Sequence, residues 1–443
     1  VQLGELETNV RSDREGQFHA ILPALPASFQ ARDLRVSAPD GSVAIRKDIL
    51  IGEVWLAAGQ SNMVWELEDA VGGRAESISS NDPYLRVFEV PEQVSLSPQD
   101  DVASRWVPVP PRSARRFSAV GYYFGKQLRA RLDAPVGIIQ TAYGGTRIEA
   151  WVSEQVLAEA EVFKDAKAEW DDLLEGGLAA RQEWFETVAT LDTRAMDRSL
   201  DPPIWPDRTL SKNAPAVLYN AMLAPALKVP TRGLIWYQGE SNRAAGEQYR
   251  AMLGAFISML RDVRGPAYPV GIVQIAPVAR EVDFPTIWNA QLKAAQDHER
   301  VGLIVTTDLA ELEDIHPRRK EEVGERLGHW ALADAYGHSD GPVMGPLFKS
   351  VQQAEDQLIL SFDPAVPLTT LHDAPLTGFV IETLHDSMVV PEAKIQNERV
   401  ILSVPTDVDA CAISYEMQAS AFPVLTNETG IPASPFREVL SEC

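Results

Sequence analysis

Short apolar runs alternate with longer segments of helical periodicity between residues 51 and 340. Uninterrupted apolar runs are typical of strands that helices cover on both faces, and the repeated order strand, loop, helix predicts a mostly parallel sheet of an α/β fold. In such sheets ligands bind beyond the carboxyl ends of the strands. The residues that follow each strand are therefore the first candidates for a functional site. The runs that we interpret as strands are "VWLAA", "APVGIIQTA", "RGLIWY", "YPVGIVQ" and "VGLIVTT".

Both ends of the chain have a different sequence pattern, in which apolar and polar residues alternate within short segments. Alternation of this kind, with turn residues such as Asp40-Gly41 between the segments, is typical of antiparallel β-structure. We expect a partial β domain at 1–50, an α/β domain at 51–343 and a C-terminal β domain at 344–443. The N- and C-terminal segments together would form a jelly-roll-like β-sandwich portion.

The charge balance excludes several classes of partner. The 443 residues include 40 Lys and Arg against 63 Asp and Glu, a formal net charge of −23. Because this charge repels phosphate groups, we expect no nucleic-acid partner, and no apolar stretch is long enough to predict membrane insertion.

The chain begins with Val rather than Met, and "VQLGELETNV" lacks the features of a signal peptide. We expect a mature or trimmed form without its targeting signal.

The two cysteines, Cys411 and Cys443, are too few for a disulfide scaffold or a Cys-based zinc site. No His/Cys spacing in the sequence is typical of a metal centre either. We therefore expect no metal and no other cofactor. Whether the two cysteines form a single bridge stays open.

The first strand ends in Gly59-Gln60-Ser61-Asn62. A serine at a tight strand-to-helix turn exposes its hydroxyl and turns its backbone N–H toward a bound carbonyl oxygen, as a catalytic nucleophile requires. An ordinary helix N-cap would produce the same pattern.

Two further strand ends carry unusual polar groups. "YGGTRIEAW" has paired glycines, which let backbone N–H groups approach a ligand, although an ordinary turn with an Arg147–Glu149 ion pair would look the same. "WYQGESN" crowds Gln238, Glu240 and Asn242 at the end of an apolar strand. Buried polar groups need partners, so these side chains must bind one another or a ligand.

The fourth strand end, "DLAELEDIHPRRK", places His316 after the acidic pair Glu313 and Asp314. A carboxylate beside an imidazole fixes its tautomer and stabilises its charged form, as a general base requires. A surface helix start with Asp314 as its cap is the alternative. Together the four strand ends supply a nucleophile, oxyanion donors and a base, and this combination predicts acyl transfer.

The same blocks resemble the sialate O-acetylesterase family of SGNH hydrolases, which includes related carbohydrate acetylesterases. The resemblance implies an SGNH-type, flavodoxin-like sheet in the 51–343 domain, Ser61 as nucleophile and His316 as base. It also implies oxyanion donation from the Ser61 N–H, from Gly145 and from an amide of the third block. The N-terminal part resembles only the second half of the family's leading β domain, so we expect that domain to be shortened. The matching segments are "GEVWLAAGQSNM", "GGTRIEAW", "LYNAML", "WYQGESN", "DIHPRRKEEVGERL" and "GIPASPFR".

Two assignments remain open within this resemblance. The acid that orients His316 is Asp314 or Glu313, and Asp314 fits this branch of the family better. The third oxyanion donor is Gln238 or Asn242; we favour Gln238. We expect Glu240 to brace Arg147, and the residues predicted to bind the substrate are Gln60, Arg147, Asn220 and Glu240.

The function that we predict is a serine esterase that removes O-acetyl groups from a carbohydrate through an acetyl-enzyme intermediate. The sugar stays open between sialic acid, whose carboxylate would favour a cation in the pocket, and acetylated plant or marine polysaccharides such as xylan. A carbohydrate-binding protein on an inactive esterase fold and a general short-chain acyl esterase are the alternatives. Trp65, Trp151 and Trp236 could serve as sugar platforms or as core residues. The family resemblance implies a periplasmic or extracellular location.

Overall fold

The structure is a computed structural model that describes residues 1–190, 210–338, 343–354, 356–384, 387–390, 392–406 and 408–441. Its first strands form a small antiparallel sheet in which the third strand pairs with the first and the fourth. The long pair is a hairpin whose turn contains Gly41 at a φ of +87°, as the Asp40-Gly41 pattern predicts. The strands are β1 (Gln2–Leu3), β2 (Leu6–Glu7), β3 (Ser28–Ser37) and β4 (Val43–Ile51).

The central sheet confirms the predicted α/β fold. Its strands are β5 (Glu53–Gly59), β6 (Asp82–Glu89), β7 (Val107–Val109), β8 (Val136–Ala142), β9 (Gly233–Tyr237), β10 (Val270–Val273) and β11 (Val301–Ile304). Within the described residues they are ordered β11-β10-β9-β5-β8-β6-β7, and all neighbours are parallel except β6 and β7. β5 lies between β8 and β9, so the segments that follow these three strands meet at one edge of the sheet.

Helices cover the central sheet on both faces. The helices of the described residues are α1 (Ser61–Val64), α2 (Gly73–Ser79), α3 (Ala119–Arg131), α4 (Glu154–Glu159), α5 (Lys164–Thr190), α6 (Ala224–Ala226), α7 (Gln248–Arg264), α8 (Phe284–Asp297) and α9 (Lys320–Tyr336). Short 3₁₀ segments occur at Leu67–Asp69, Ile148–Trp151, Glu161–Phe163, Glu240–Ala245, Thr307–Leu309 and Leu371–Asp373, and Tyr219–Leu223 forms a π-helical turn. None of the described helices is both long and apolar enough to cross a lipid bilayer.

Successive residues of β5 face opposite sides of the sheet. Leu56 and Ala58 belong to the core that contains α7 and α8, whereas Trp55 and Ala57 belong to the core that contains α3 and α9. Because strand side chains alternate between faces, a strand covered twice is apolar throughout. This explains the continuous apolar run from which the sequence predicts β5.

Helices α3 and α9 pack closely against each other beside the sheet. A Cβ built at Gly324 would lie 2.5 Å from Cβ of Tyr123, and one at Gly328 would lie 2.5 Å from Cγ of Gln127. These contacts are closer than real Cβ atoms allow, so the crossing requires glycine in α9. The close crossing fixes the start of α9 relative to the sheet edge.

The C-terminal strands form antiparallel sheets, as predicted for this segment. They are β12 (Leu347–Ala354), β13 (Gln357–Asp363), β14 (Leu368–Thr370), β15 (Phe379–Glu382), β16 (Ser387–Val389), β17 (Ala393–Gln396), β18 (Arg399–Ser403), β19 (Ala412–Tyr415), β20 (Leu425–Asn427) and β21 (Phe436–Val439). The sheet orders are β12-β13-β18-β17, β14-β20 and β16-β15-β19-β21. Phe348 and Phe436 stack between two of these sheets with centroids 3.9 Å apart, which makes a sandwich.

Polar contacts attach this sandwich to the α/β core. The Gln274 amide donates to Ser434 Oγ at 2.9 Å, and the Arg437 N–H donates to Asn289 Oδ1 at 3.0 Å. In the described residues the strands of the two chain ends pair in separate sheets. The open question of a bridge between Cys411 and Cys443 lies outside the described residues, which end at 441.

Candidate functional site

Ser61 lies at the turn that ends β5. Gly59 has a φ of +142°, and a Cβ there would lie 2.2 Å from the carbonyl oxygen of Tyr237. Only glycine allows this approach, and the neighbouring Gln60 N–H donates to the same oxygen at 3.0 Å. The chain then turns directly into α1, with Ser61 as its first residue. The glycine of the motif therefore fixes the position of the serine on the edge of the sheet.

Ser61 and His316 are in hydrogen-bond contact, with 2.8 Å between Oγ and Nε2. Asp314 lies on the other side of the imidazole: its Oδ1 accepts from the His316 backbone N–H at 2.9 Å and lies 3.6 Å from Nδ1. Glu313 is exposed to solvent. Of the two acids that the sequence left open, Asp314 is the one beside the histidine. Trp65 stacks on His316 at 5.2 Å between ring centroids.

The environment of His316 favours its neutral form. Burial lowers the pKa of the imidazole, the positive charge of Lys320 lowers it further, and Asp314 opposes both effects. A histidine with a lowered pKa is unprotonated at neutral pH. It can therefore accept the proton of the Ser61 hydroxyl.

The paired glycines lie beside Ser61. A Cβ at Gly144 would be 3.5 Å from Cβ of Ser61, and Gly145 has a left-handed φ of +67°. No hydrogen bond joins the N–H of Ser61 or of Gly145 to another described residue. Lys212 was not anticipated from the sequence; its ammonium donates to the Gly144 carbonyl and lies 4.9 Å from the Tyr143 ring centroid.

The contacts of Gln238 do not support the prediction that it is an oxyanion donor. Its side chain is completely buried, and its amide nitrogen donates to the Thr146 carbonyl at 3.0 Å and to Asn242 Oδ1 at 2.7 Å. Its amide oxygen accepts from the Tyr249 hydroxyl at 2.6 Å. Because both amide protons are donated within the protein, none is left for a substrate. Gln238 instead holds the loop that contains Gly145.

Asn242, the alternative donor, is also directed into this framework. Its amide nitrogen donates to Glu149 Oε2 at 2.8 Å, and its oxygen accepts from the Ile148 N–H at 2.9 Å. Gln238 and Asn242 thus bind each other and the neighbouring loop. Trp151 and Trp236 are fully buried and pack edge to face at 6.0 Å, so they are core residues.

The prediction that Glu240 braces Arg147 is wrong. Glu240 is buried and accepts from the Asn62 amide at 2.6 Å. Arg147 bonds instead to Asn213, with its backbone N–H at 2.7 Å from Oδ1 and its guanidinium at 3.4 Å from the carbonyl. Glu240 could not be assigned from sequence because its partner follows a different strand.

The remaining residues predicted to bind substrate lie inside the protein. Gln60 is 2% exposed, and its amide oxygen accepts from the Ser241 N–H at 3.3 Å. Asn220 is 3% exposed and donates to the Ser95 carbonyl at 3.3 Å. Direct contact with a sugar would require both side chains to leave these positions.

Sequence reasoning missed Lys320, which is completely buried at the start of α9. A signal was available, because a lysine in the first turn of a helix opposes the helix dipole and needs a specific partner. In the described residues no group of three or more His, Cys, Asp or Glu side chains could hold a metal ion.

Comparisons with known proteins show which family and which relatives the chain resembles. The family described as "Carbohydrate esterase, sialic acid-specific acetylesterase" matches residues 51–178 and 208–336, more than half of the chain. A sialate O-acetylesterase of Rattus norvegicus is 27% identical over 72% of this chain and 63% of its own length. The Homo sapiens sialate O-acetylesterase is 28% identical over 69% of this chain and 57% of its own. The chain thus spans less than two thirds of the length of these relatives.

A solved structure extends the similarity to the whole fold. A carbohydrate acetylesterase from Xanthomonas citri superposes with a TM-score of 0.83 and 29% identity. The match covers 99% of this chain and 92% of that protein. The central sheet and the C-terminal sandwich therefore recur together in another protein.

Proposed function

Because the chain belongs to the carbohydrate esterase family of sialic acid-specific acetylesterases, we propose that it is a serine esterase that removes O-acetyl groups from a carbohydrate. The observation that carries this proposal is the 2.8 Å contact between Ser61 Oγ and His316 Nε2, with Asp314 beside the imidazole. The relatives named above act on acetyl esters of sugars, as their names state. This geometry suits the same chemistry.

In the first half-reaction Ser61 is the nucleophile. His316 takes the hydroxyl proton through Nε2 while Oγ attacks the acetyl carbonyl carbon, and the sugar oxygen leaves with the proton that His316 returns. Asp314 holds the backbone and the Nδ1 side of the imidazole, so Nε2 is directed at Ser61. The product of this step is acetyl-Ser61.

The second half-reaction uses the same groups in the reverse order. Water donates a proton to His316 and attacks the acetyl carbon, and Ser61 recovers its proton as acetate leaves. Neither half-reaction of the proposed mechanism uses a metal or an organic cofactor. The reaction therefore depends on the protein's own residues.

The oxyanion of both tetrahedral intermediates would be stabilised by backbone N–H groups. We assign the N–H groups of Ser61 and Gly145 as donors, because both lack a protein partner among the described residues. Donors that point at the developing charge before reaction each contribute about 100- to 1,000-fold in turnover. Gln238 supports this site indirectly through Thr146.

The sugar would lie in the cavity next to Trp65. This cavity has a volume of about 710 Å³, and its lining includes Trp65, the acidic Glu68 and Asp69, and the basic Arg74 and Arg318. Ser61 and His316 do not line it, but Trp65 stacks on His316. An indole edge with mixed charged and polar groups suits a hydroxylated ring. Lys212, which donates to the carbonyl of Gly144 beside Ser61, offers a cation to which the carboxylate of a sialic acid could bind.

The proposal is tested by acetate release from O-acetylated sialic acid and from acetylated xylan in parallel, with Ser61→Ala as the blank. We expect release from at least one substrate by the wild type and none by the variant. Equal release by both proteins would overturn Ser61 as nucleophile. Binding of either glycan without release would favour a carbohydrate-binding protein on an inactive fold.

The same assay separates the two sugar classes with Lys212→Met. If sialate is the substrate, the loss of the cation should raise KM for sialate about tenfold, because a charge-assisted hydrogen bond is lost. An unchanged KM for sialate would assign Lys212 to loop structure and favour a neutral glycan. A periplasmic or extracellular location, which we also propose, can be tested by cell fractionation of the source organism.

A further inference from the structure

Lys320 is an ammonium group buried directly behind the nucleophile. Its side chain is 0% exposed, and Nζ donates to Asn62 Oδ1, the residue after Ser61. Nζ also lies 5.9 Å from the Trp65 ring centroid and 5.1 Å from that of Tyr237. A buried cation is unfavourable unless it is paired. Its position therefore calls for a functional explanation.

Asn62 connects this cation to a buried carboxylate. Its amide nitrogen donates to Glu240 Oε1 at 2.6 Å and to the Ile315 carbonyl at 3.0 Å. The other carboxylate oxygen, Glu240 Oε2, is buried and has no hydrogen-bond partner within the part of the chain that the structure describes. The amide thus has a donor, Lys320 Nζ, at its oxygen and an acceptor, Glu240 Oε1, at its nitrogen, so only one orientation of Asn62 satisfies both hydrogen bonds.

These contacts join the two halves of the reacting pair. Asn62 follows Ser61 in the chain, and Ile315 precedes His316. The Asn62–Ile315 bond therefore ties the serine turn to the histidine loop at a distance of one residue from each reacting side chain. Lys320 and Glu240 bring the start of α9 and the end of β9 into the same contact.

We propose that Lys320 and Glu240 are positioning residues which, by fixing the orientation of Asn62, set the separation of Ser61 Oγ and His316 Nε2. This inference rests on the esterase mechanism proposed above. Reaction rates are sensitive to such positioning, since displacement of a reacting group by about 1 Å can lower turnover about 100-fold.

The network also controls charge near the base. Lys320 and Asp314 are the charged groups that act on His316, and Glu240, Asp314 and Glu311 are those that act on Lys320. Burial lowers the pKa of Lys320 to about 7, and the three carboxylates oppose this effect. The ammonium would therefore be lost as the pH rises through neutrality, and with it the charge at the Asn62 oxygen.

The test measures the hydrolysis of p-nitrophenyl acetate against pH for Lys320→Met and Glu240→Gln. We expect Lys320→Met to lower kcat about 10- to 100-fold with KM changed less than about threefold, since it misplaces the reacting pair and touches no substrate. The acid limb of the profile of kcat against pH should lie at higher pH in Lys320→Met than in the wild type, because removal of the cation raises the pKa of His316. Glu240→Gln keeps the shape of the side chain, so it still tests the same network if the lysine variant fails to fold.

Glu240→Gln has a distinct signature. Loss of the carboxylate lowers the pKa of Lys320 further, so kcat should fall at a lower pH on the alkaline side than in the wild type. Lys293→Met is the matched control, because it removes a lysine paired with Glu438 away from Ser61. The control should retain the wild-type kcat and pH profile.

The outcomes separate this inference from the proposed function. Activity in Ser61→Ala equal to wild type would overturn the esterase mechanism itself. If Ser61→Ala is inactive but Lys320→Met and Glu240→Gln keep the wild-type kcat and the wild-type dependence of kcat on pH, the positioning role is overturned. A lower midpoint of thermal unfolding in these variants would not rescue it. Equal losses in Lys293→Met and Lys320→Met would also overturn it.

Discussion

The segment that follows β5 and the segment that follows β9 lie side by side at the same sheet edge, but their polar groups differ in whether they are hydrogen-bonded within the protein. After β5, Ser61 is partly exposed, and its hydroxyl contacts His316 while its N–H has no partner among the described residues. After β9, Gln238 and Asn242 are buried and bonded to each other. A polar residue at a strand end is therefore not by itself a reacting residue. Its unused hydrogen-bonding capacity distinguishes the two roles.

The largest effect among the predictions that test this comparison is expected for Asp314→Asn. Replacement of the carboxylate removes the group that stabilises the charged imidazole, and general-base catalysis of this type contributes about 100- to 10,000-fold. We expect kcat to fall at least about 100-fold, measured with p-nitrophenyl acetate. Glu313→Gln is the matched control and should leave kcat unchanged. The reverse ranking would show that Glu313 orients the histidine.

Gly145→Ala should have the next largest effect. The alanine must adopt a φ of +67°, which is unfavourable by about 1–2 kcal/mol for a residue with a Cβ. We expect the N–H to shift and kcat to fall about tenfold. Gly176→Ala is a helical glycine whose added Cβ would contact nothing within 4 Å, so its kcat should equal that of the wild type. Normal turnover in Gly145→Ala would remove this N–H from the oxyanion site.

Gln238→Met tests the opposite side of the comparison. We expect a loss of about 3 kcal/mol in the free energy of unfolding, because buried partners such as the Thr146 carbonyl are left unsatisfied. The loss of kcat should be smaller than the 100- to 1,000-fold typical of a direct oxyanion donor. Chemical denaturation and steady-state kinetics measure the two effects. A large loss of kcat with unchanged stability would restore Gln238 as a donor.

The smallest effect concerns the pH profile of the wild type. Burial lowers the pKa of His316 below its usual value of 6.5, and the proposed mechanism uses the neutral imidazole as the base. The acid limb of kcat/KM should therefore lie below pH 6.5, since this limb reports the free enzyme. An acid limb above that value would contradict the assigned environment of the base.

The fold and the two segments that bring Ser61 and His316 together could be predicted because their signals are local. The apolar runs of β5 and β9 specify strands covered on both faces. Ser61 comes two residues after β5, and His316 lies in the segment between β11 and α9. The domain boundaries at 51 and 344 stay a prediction. What the sequence predicted best was therefore what a few neighbouring residues determine.

The roles of Gln238, Glu240 and Lys320 could not be predicted in the same way. The direction of the Gln238 amide depends on Tyr249 and on Thr146, and the partner of Glu240 lies after a different strand. Such contacts arise only when the strand order brings distant segments together. A polar cluster in sequence shows that partners exist, but the fold decides which ones.

The central claim is that an acetyl group is carried on Ser61. The most direct measurement is mass spectrometry of peptides after acid quenching during the hydrolysis of p-nitrophenyl acetate. The mechanism predicts one added acetyl group on the peptide that contains Ser61, which disappears when the substrate is exhausted. Steady hydrolysis without acetylation of that peptide, or with acetylation of another residue that turns over at the catalytic rate, would contradict it.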